Sequence, residues 1–235
     1  MALSPAPFHT DVCPVGGEAN AYFATTSDGK RIRLAVWGND APKGTVLLFP
    51  GRTEFVEKYA AAAADFEQRG YCTISIDWRG QGLSDRLIDD PMVGHVDKFS
   101  DYQLDIAAMM AAAEELNLPK PYYLAAHSMG GAIGLRALMD GLPVKAAVFS
   151  APMWGIHMEP HLRPFAWVMS HLMPAIGQGH KRLPGTTPDS YVIAAPFEDN
   201  TLTTDQPMFE MMLTQTKAYP AVGLGGPSYT WLRES

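Results

Sequence analysis

Four short apolar runs, 45–49 (TVLLF), 71–76 (YCTISI), 121–126 (PYYLAA) and 144–149 (VKAAVF), are separated along the chain by longer stretches with helix-like spacing. Apolar runs without polar alternation predict strands buried on both faces, and their alternation with helices predicts a mostly parallel, doubly wound sheet. Upstream, 21–25 (AYFAT) and 31–37 (RIRLAVW) flank the turn Ser27-Asp28-Gly29, so the sheet is expected to begin with an antiparallel pair. Ser100 followed by Gln103 reads as a capping box, with Leu104, Ala107, Ala108, Ala111 and Leu116 on one helical face. Gly141 is expected to close the helix that starts after Ser128.

From Pro152 the alternation stops, and seven of the 13 methionines fall between Met153 and Met212. This change predicts three parts: an α/β core over 1–151, a helical cap inserted over 152–225, and a return to the core over 226–235. Within the cap, 161–176 (HLRPFAWVMSHLMPAI) is apolar on nearly every face, with Leu162, Phe165, Met169, Leu172 and Met173 on one stripe and Trp167 and Val168 off it. A helix of this kind packs in the core, lines a pocket for an acyl chain, or faces lipid. Met169 and Met173 are the substrate-facing candidates on the second reading.

Charge and composition narrow the classes. With 18 Lys and Arg against 25 Asp and Glu, the net charge of -7 and the lack of a basic, aromatic-interleaved run argue against nucleic acid as a partner. Cys13 and Cys72 are too few for a disulfide framework and read as free thiols, and no spacing typical of metal ligands is present, so no metal or cofactor is expected. MALSPAPFHTDV lacks the basic start and apolar run of a leader, and no apolar stretch is long enough to span a bilayer. The expectation is a cytoplasmic protein whose cap can touch a membrane surface.

The chemistry begins at LAAHSMGG, residues 124–131. A G-x-S-x-G elbow turns a strand so abruptly into a helix that the residues two before and two after the serine must be small. Ala126, Ser128 and Gly130 meet that demand, with alanine in the first glycine position, and YYLAA supplies the incoming strand. Ser128 is the candidate nucleophile. Two backbone N–H groups are needed for the oxyanion: one from Met129, the other from Arg52 in the loop FPGRTEF. The Arg52 side chain has two readings, an ion pair with a carboxylate or a contact with an anionic headgroup. Glu54 and Lys58, four apart, read as an exposed pair, and Asp77 and Arg79 in DWRGQGLSD as braces for a loop.

Taken together, GRTEFVEKY, DWRGQGLSD, GHVDKFSDY, AHSMGG, NTLTTD and GGPSYTWLRES resemble the lysophospholipase and monoacylglycerol lipase branch, of serine aminopeptidase S33 type, of the α/β-hydrolase superfamily. The resemblance covers about residue 45 to the end. It implies the α/β-hydrolase fold with a helical cap, a Ser-His-Asp mechanism, and a small-molecule ester substrate carrying an acyl chain, a lysophospholipid or monoacylglycerol. By position it makes Ser128 the nucleophile and Arg52 and Met129 the oxyanion donors.

In this fold the acid and histidine follow the serine on later strands. No carboxylate follows 144–149 before Glu159, and four of the seven histidines, His157, His161, His171 and His180, lie in the cap. The triad acid and base, with the C-terminal strands and helix that would carry them, are therefore expected outside these 235 residues, and the chain alone is expected to be inactive. The competing expectation is a non-catalytic lipid-binding protein or truncated fragment that keeps the acyl pocket without the triad.

Overall fold

The computed structural model describes residues 3–13, 15 and 19–235. Its sheet contains β1 (Ser4–Pro5), β2 (Asn20–Thr25), β3 (Arg31–Trp37), β4 (Thr45–Phe49), β5 (Cys72–Asp77), β6 (Tyr122–His127) and β7 (Ala147–Ser150), in the spatial order β1-β2-β3-β5-β4-β6-β7. β1, β2, β3 and β5 pair antiparallel, whereas β5, β4, β6 and β7 pair parallel. β4 and β5 are buried at every position, as their unbroken apolar runs require. The last strand starts three residues later than expected, because Lys145 and Ala146 form the lead-in, with Lys145 N–H donating to the Tyr122 carbonyl at 2.8 Å.

Helices α1 (Ala60–Gln68), α2 (Tyr102–Glu115) and α3 (Met129–Met139) flank this sheet. α2 buries Tyr102, Asp105, Ile106, Ala108, Met109, Ala112 and Ala113, while Ala107 is exposed. Of the expected face Ala108 is buried, Leu104, Ala111 and Leu116 are half-buried and Ala107 is exposed, so the stripe that faces the core is rotated partly off the expected one; an alanine-rich helix is weakly apolar all round and its periodicity fixes the buried side only loosely. The start also differs: the Asp101 carboxylate accepts the Lys98 N–H at 3.3 Å, and Gln103 reaches the Ile133 carbonyl instead of capping. α3 ends as expected. Leu142 N–H donates to the Ala137 carbonyl and Gly141 N–H to Leu138, with Gly141 at φ +93°, a Schellman cap.

Beneath the sheet's antiparallel side Arg33, fully buried, donates to Asp77 Oδ2 at 2.7 Å and to both Glu57 oxygens at 2.7 and 2.8 Å. Asp77 also accepts the N–H groups of Val56 and Leu83, which ties the loops after β4 and β5 to one carboxylate. Arg79 is held by Asp105 and Asp28, both at 2.8 Å. Both residues are the loop braces that the sequence suggested.

Between β7 and α7 (Tyr229–Glu234) lie α4 (Arg163–Ala175), α5 (Tyr191–Ala194) and α6 (Gln206–Ala218). α4 packs on α7, and Ser170 is its one buried residue. The core-packing expectation for 161–176 fails here: Leu162, Phe165, Trp167, Val168 and Leu172 are all exposed. α7 has six residues, about a turn and a half, and covers a single stripe of α4. β7 is likewise exposed along most of its length, and among the described residues no strand pairs with its outer edge.

Candidate active site

The elbow is built by close packing. Ser128 sits at φ 52°, ψ −120°, a backbone state that an L-residue holds only when its surroundings impose it. Ser128 N–H donates to the Ser150 carbonyl at 3.1 Å, and its own carbonyl accepts from Gly131 at 2.9 Å and Met153 at 2.8 Å. A Cβ on Gly130 would lie 2.3 Å from the Phe49 carbonyl oxygen and 2.5 Å from that of Pro50, so the helix approaches β4 this closely only with glycine there. Ser128 Oγ has no hydrogen-bond partner among the described residues.

The loop after β4 faces this serine. Thr53 is held at φ 64°, and its N–H donates to Gln81 Oε1 at 2.7 Å. Glu54 is buried and accepts from the Gly51 N–H, the Tyr59 hydroxyl and the Lys58 ammonium. The Glu54–Lys58 pair therefore forms as the spacing predicts, but it is a buried brace and not an exposed pair. Burial pushes the Glu54 carboxyl up, yet Lys58 and then His127 outweigh it and hold it below the usual carboxylate range. Gly51 N–H is committed to Glu54, and the N–H groups of Arg52, Met129 and Gly130 have no hydrogen-bond acceptor among the described residues.

A cavity of about 260 Å³ opens over Ser128, walled by Arg52, Thr53, Leu202, Thr203, Met208 and Met212 among others. Met169 and Met173 are not part of this wall; they sit half-buried on α4, which packs on α7 away from the serine. The methionines that do line it are on α6, one turn apart. NTLTTD brings that helix into place, since Asn200 Oδ1 accepts the N–H groups of Leu202 and Thr203 and Asp205 caps α6 by accepting from Met208 at 3.0 Å. Sequence reasoning missed Glu54, Gln81, Leu202, Met208 and Met212. The one available signal was the i, i+4 pair of methionines on a capped helix.

His127 is the histidine on the cavity wall, and its Nδ1 is bonded to the Ser150 carbonyl at 3.0 Å while Nε2 lies 3.8 Å from Glu54. His95 is buried against Ser228, and His171 bonds the Trp167 carbonyl of its own helix. Among the described residues no histidine is hydrogen-bonded to Ser128, and no group of three or more His, Cys, Asp or Glu side chains is placed to hold a metal. No helix there is long and apolar enough to cross a membrane.

A mostly parallel sheet with its serine on a strained strand-to-helix turn, opposite the loop after β4, is the α/β-hydrolase fold. Residues 40–223 match the family described as serine aminopeptidase, S33, and the chain belongs to that family. It is 36% identical over 197 residues to lysophospholipase L2 of Escherichia coli K12, covering 81% of this chain and 55% of that protein. It is 33% identical over 210 residues to a probable lysophospholipase L2 of Haemophilus influenzae, covering 87% of this chain and 65% of that one. The chain thus spans roughly half to two thirds of the length of these relatives. In fold it is similar to a soluble variant of the Saccharomyces cerevisiae monoglyceride lipase, with a TM-score of 0.63 at 19% identity over 98% of this chain and 70% of that one. A Bacillus coagulans carboxyl esterase gives a TM-score of 0.65 at 14% identity over 93% and 73%.

Proposed function

We propose that the protein is a serine hydrolase that cleaves carboxylic esters of lysophospholipids or monoacylglycerols through an acyl-enzyme on Ser128. The observation that carries this reading is Ser128 in its strained turn at a cavity whose wall is polar around the loop after β4 and apolar at Leu202, Met208 and Met212, beside the N–H groups of Arg52 and Met129. Attack of Ser128 Oγ on the ester carbonyl converts its oxygen to an oxyanion; donors already fixed at that place stabilise it without reorganising. The acyl chain would run along Leu202, Met208 and Met212, whose flexible thioethers adapt to its shape. Collapse of the tetrahedral intermediate expels the glycerol oxygen as an alcohol and leaves the acyl group on Ser128, which water then removes.

Ser128 needs a base, and His127 is turned away onto Ser150 and Glu54. In this reading the histidine and its orienting acid lie outside the described residues, and the 235 residues alone hydrolyse esters at no more than trace rates. The segment 152–225 serves as a cap. Its helix α4 offers a membrane its exposed Phe165, Trp167 and Leu172, and residues 153–182 carry Arg163, Lys181 and Arg182 against Glu159 alone in a chain of net charge -7. That local charge suits an anionic lipid surface.

The test is a fluorophosphonate probe on the whole protein. It is expected to label Ser128, and Ser128→Ala is expected to lose labelling and at least roughly 10³-fold in kcat/KM. Labelling that persists in Ser128→Ala would remove the assignment.

A further inference from the structure

The loop after β4 is held from behind by the turn that follows β5. The Trp78 indole Nε1 donates to the Pro50 carbonyl at 2.9 Å, Gln81 Oε1 accepts the Thr53 N–H at 2.7 Å, and Asp77 Oδ1 accepts the Val56 N–H at 2.9 Å. Two more anchors come from elsewhere: Glu54 accepts the Gly51 N–H, and Arg52 Nη2 donates to the Gly225 carbonyl. The loop so held abuts the elbow, since a Cβ on Gly51 would lie 3.0 Å from Ser128 Cβ.

These bonds fall on the backbone in a definite order. The peptide joining Pro50 to Gly51 is bonded at both ends, its carbonyl to Trp78 and its N–H to Glu54. The peptide joining Arg52 to Thr53 is bonded at both ends too, its N–H to Gln81 and its carbonyl to the Thr53 hydroxyl at 2.6 Å. Between them lies the peptide that carries the Arg52 N–H, and its direction is set by its two fixed neighbours. The second neighbour is the strained one. Thr53 is β-branched and held at φ 64°, a state such a residue keeps only where its surroundings impose it. Gln81 is placed to impose it: the residue is buried, its N–H donates to the Trp78 carbonyl at 2.9 Å, and its carbonyl accepts from Ser84 at 3.1 Å. Gly80 and Gly82 on either side have φ of 78° and 52°, and a Cβ on Gly82 would meet Asp77 Oδ2 at 2.0 Å, so the turn that delivers Gln81 requires glycine at both.

We infer that Gln81 is a positioning residue for the oxyanion hole: by accepting the Thr53 N–H it holds the Arg52–Thr53 peptide and so keeps the Arg52 N–H aimed at the elbow. Arg52 and Thr53 line the cavity, and Gln81 acts through them from behind. The inference rests on the ester-hydrolase reading for the role of the Arg52 N–H, but the hydrogen bond it invokes is measurable without any reaction.

The test uses the whole protein with p-nitrophenyl butyrate as substrate and amide hydrogen exchange at Thr53. Gln81→Met fills the same space without an acceptor. It is expected to lower kcat by about 10- to 100-fold with KM changed less than about threefold, because a misaimed donor costs stabilisation only once the oxyanion forms. Exchange at Thr53 is expected to rise at least about tenfold, with α3 unchanged, as a released loop amide opens more readily than a bonded one. Gln81→Glu keeps an acceptor oxygen at the same reach and is expected to hold kcat within about fivefold of the unaltered protein. Unchanged kcat or unchanged Thr53 exchange in Gln81→Met would overturn the inference. So would a rise in KM alone, or a loss in Gln81→Glu as deep as that in Gln81→Met. If Gln81→Met does not fold, Gln81→Asn, whose amide falls one methylene short of Thr53, decides by the same two readouts. An unaltered protein that hydrolyses no ester would sink the hydrolase reading and with it the catalytic role of Gln81, while the exchange measurement would still report whether Gln81 holds the loop.

Discussion

Ser128 and Trp167 mark two ways in which this fold holds a residue. Around Ser128, Gly130, Ser150, Met153 and the loop after β4 meet it from every side, and a backbone state costing about 1–3 kcal/mol persists because those contacts leave no alternative. Trp167 is 65% exposed on α4, a helix that contributes Ser170 alone to the interior. Chemistry that depends on tenths of an ångström sits on the over-determined side, while the side facing outward has few contacts to lose. If this contrast is real, equivalent changes made on the two sides must have very different consequences.

The largest difference is expected between two ion pairs. Glu57→Gln breaks a pair in which both partners are buried and leaves Arg33 with an uncompensated donor in a site without water access. The expected loss is about 3–5 kcal/mol, on the order of 10 °C in the midpoint of thermal unfolding. Arg136→Ala removes an equally short pair with Asp140, also 2.7 Å, but its side chains are 64% and 47% exposed. Solvent screening and side-chain entropy leave such a pair with less than about 1 kcal/mol. Similar shifts in calorimetry for the two variants would contradict the argument.

A smaller contrast separates two glycines. Gly130→Ala brings a methyl group into the Phe49 and Pro50 carbonyls, which are backbone and cannot rotate away. Overpacking of this kind costs about 1–3 kcal/mol, and because it moves Met129 and Ser128 it is also expected to lower probe labelling of the serine by at least about tenfold. Gly155 has open space at the same place and no positive φ, so Gly155→Ala is expected to change stability by less than about 0.5 kcal/mol. Full labelling of Ser128 in Gly130→Ala would show that the elbow tolerates slack.

The same contrast explains what could be read from the sequence. The elbow was legible because its constraint is local: small residues at fixed offsets from Ser128, a strand before it and a helix after it. Strands β4 and β5 were legible because full burial leaves an unbroken apolar run, and β2 and β3 because the turn Ser27-Asp28-Gly29 separates them. The cavity wall was not. Met169 and Met173 have the same composition and spacing logic as Met208 and Met212, and only the packing of α4 on α7 and of α6 under Asp205 separates the two pairs. Glu54 and Lys58 announced a pair through their spacing, but the burial that turns it into a brace comes from Gly51 and Tyr59. The Arg52 side chain was undecidable from sequence, since the question was which carboxylate lies nearby, and chain order holds no answer to it.

The smallest effect on stability is expected on α4, and it is where the contrast becomes informative about function. Phe165 and Leu172 are 59% and 47% exposed, so replacing both with serine removes little buried area and is expected to change the unfolding free energy by less than about 0.5 kcal/mol. If the stripe meets a lipid surface, the same double variant is expected to lose most of its cosedimentation with vesicles containing anionic phospholipid, because each side chain gives up apolar area that would enter the headgroup region. The unaltered protein is expected to favour anionic over neutral vesicles, following the excess of Arg163, Lys181 and Arg182 over Glu159, and to lose that preference at high salt. A double variant that is strongly destabilised would place α4 against other protein. One that folds normally and binds vesicles as well as the unaltered chain would show that the stripe does not meet lipid.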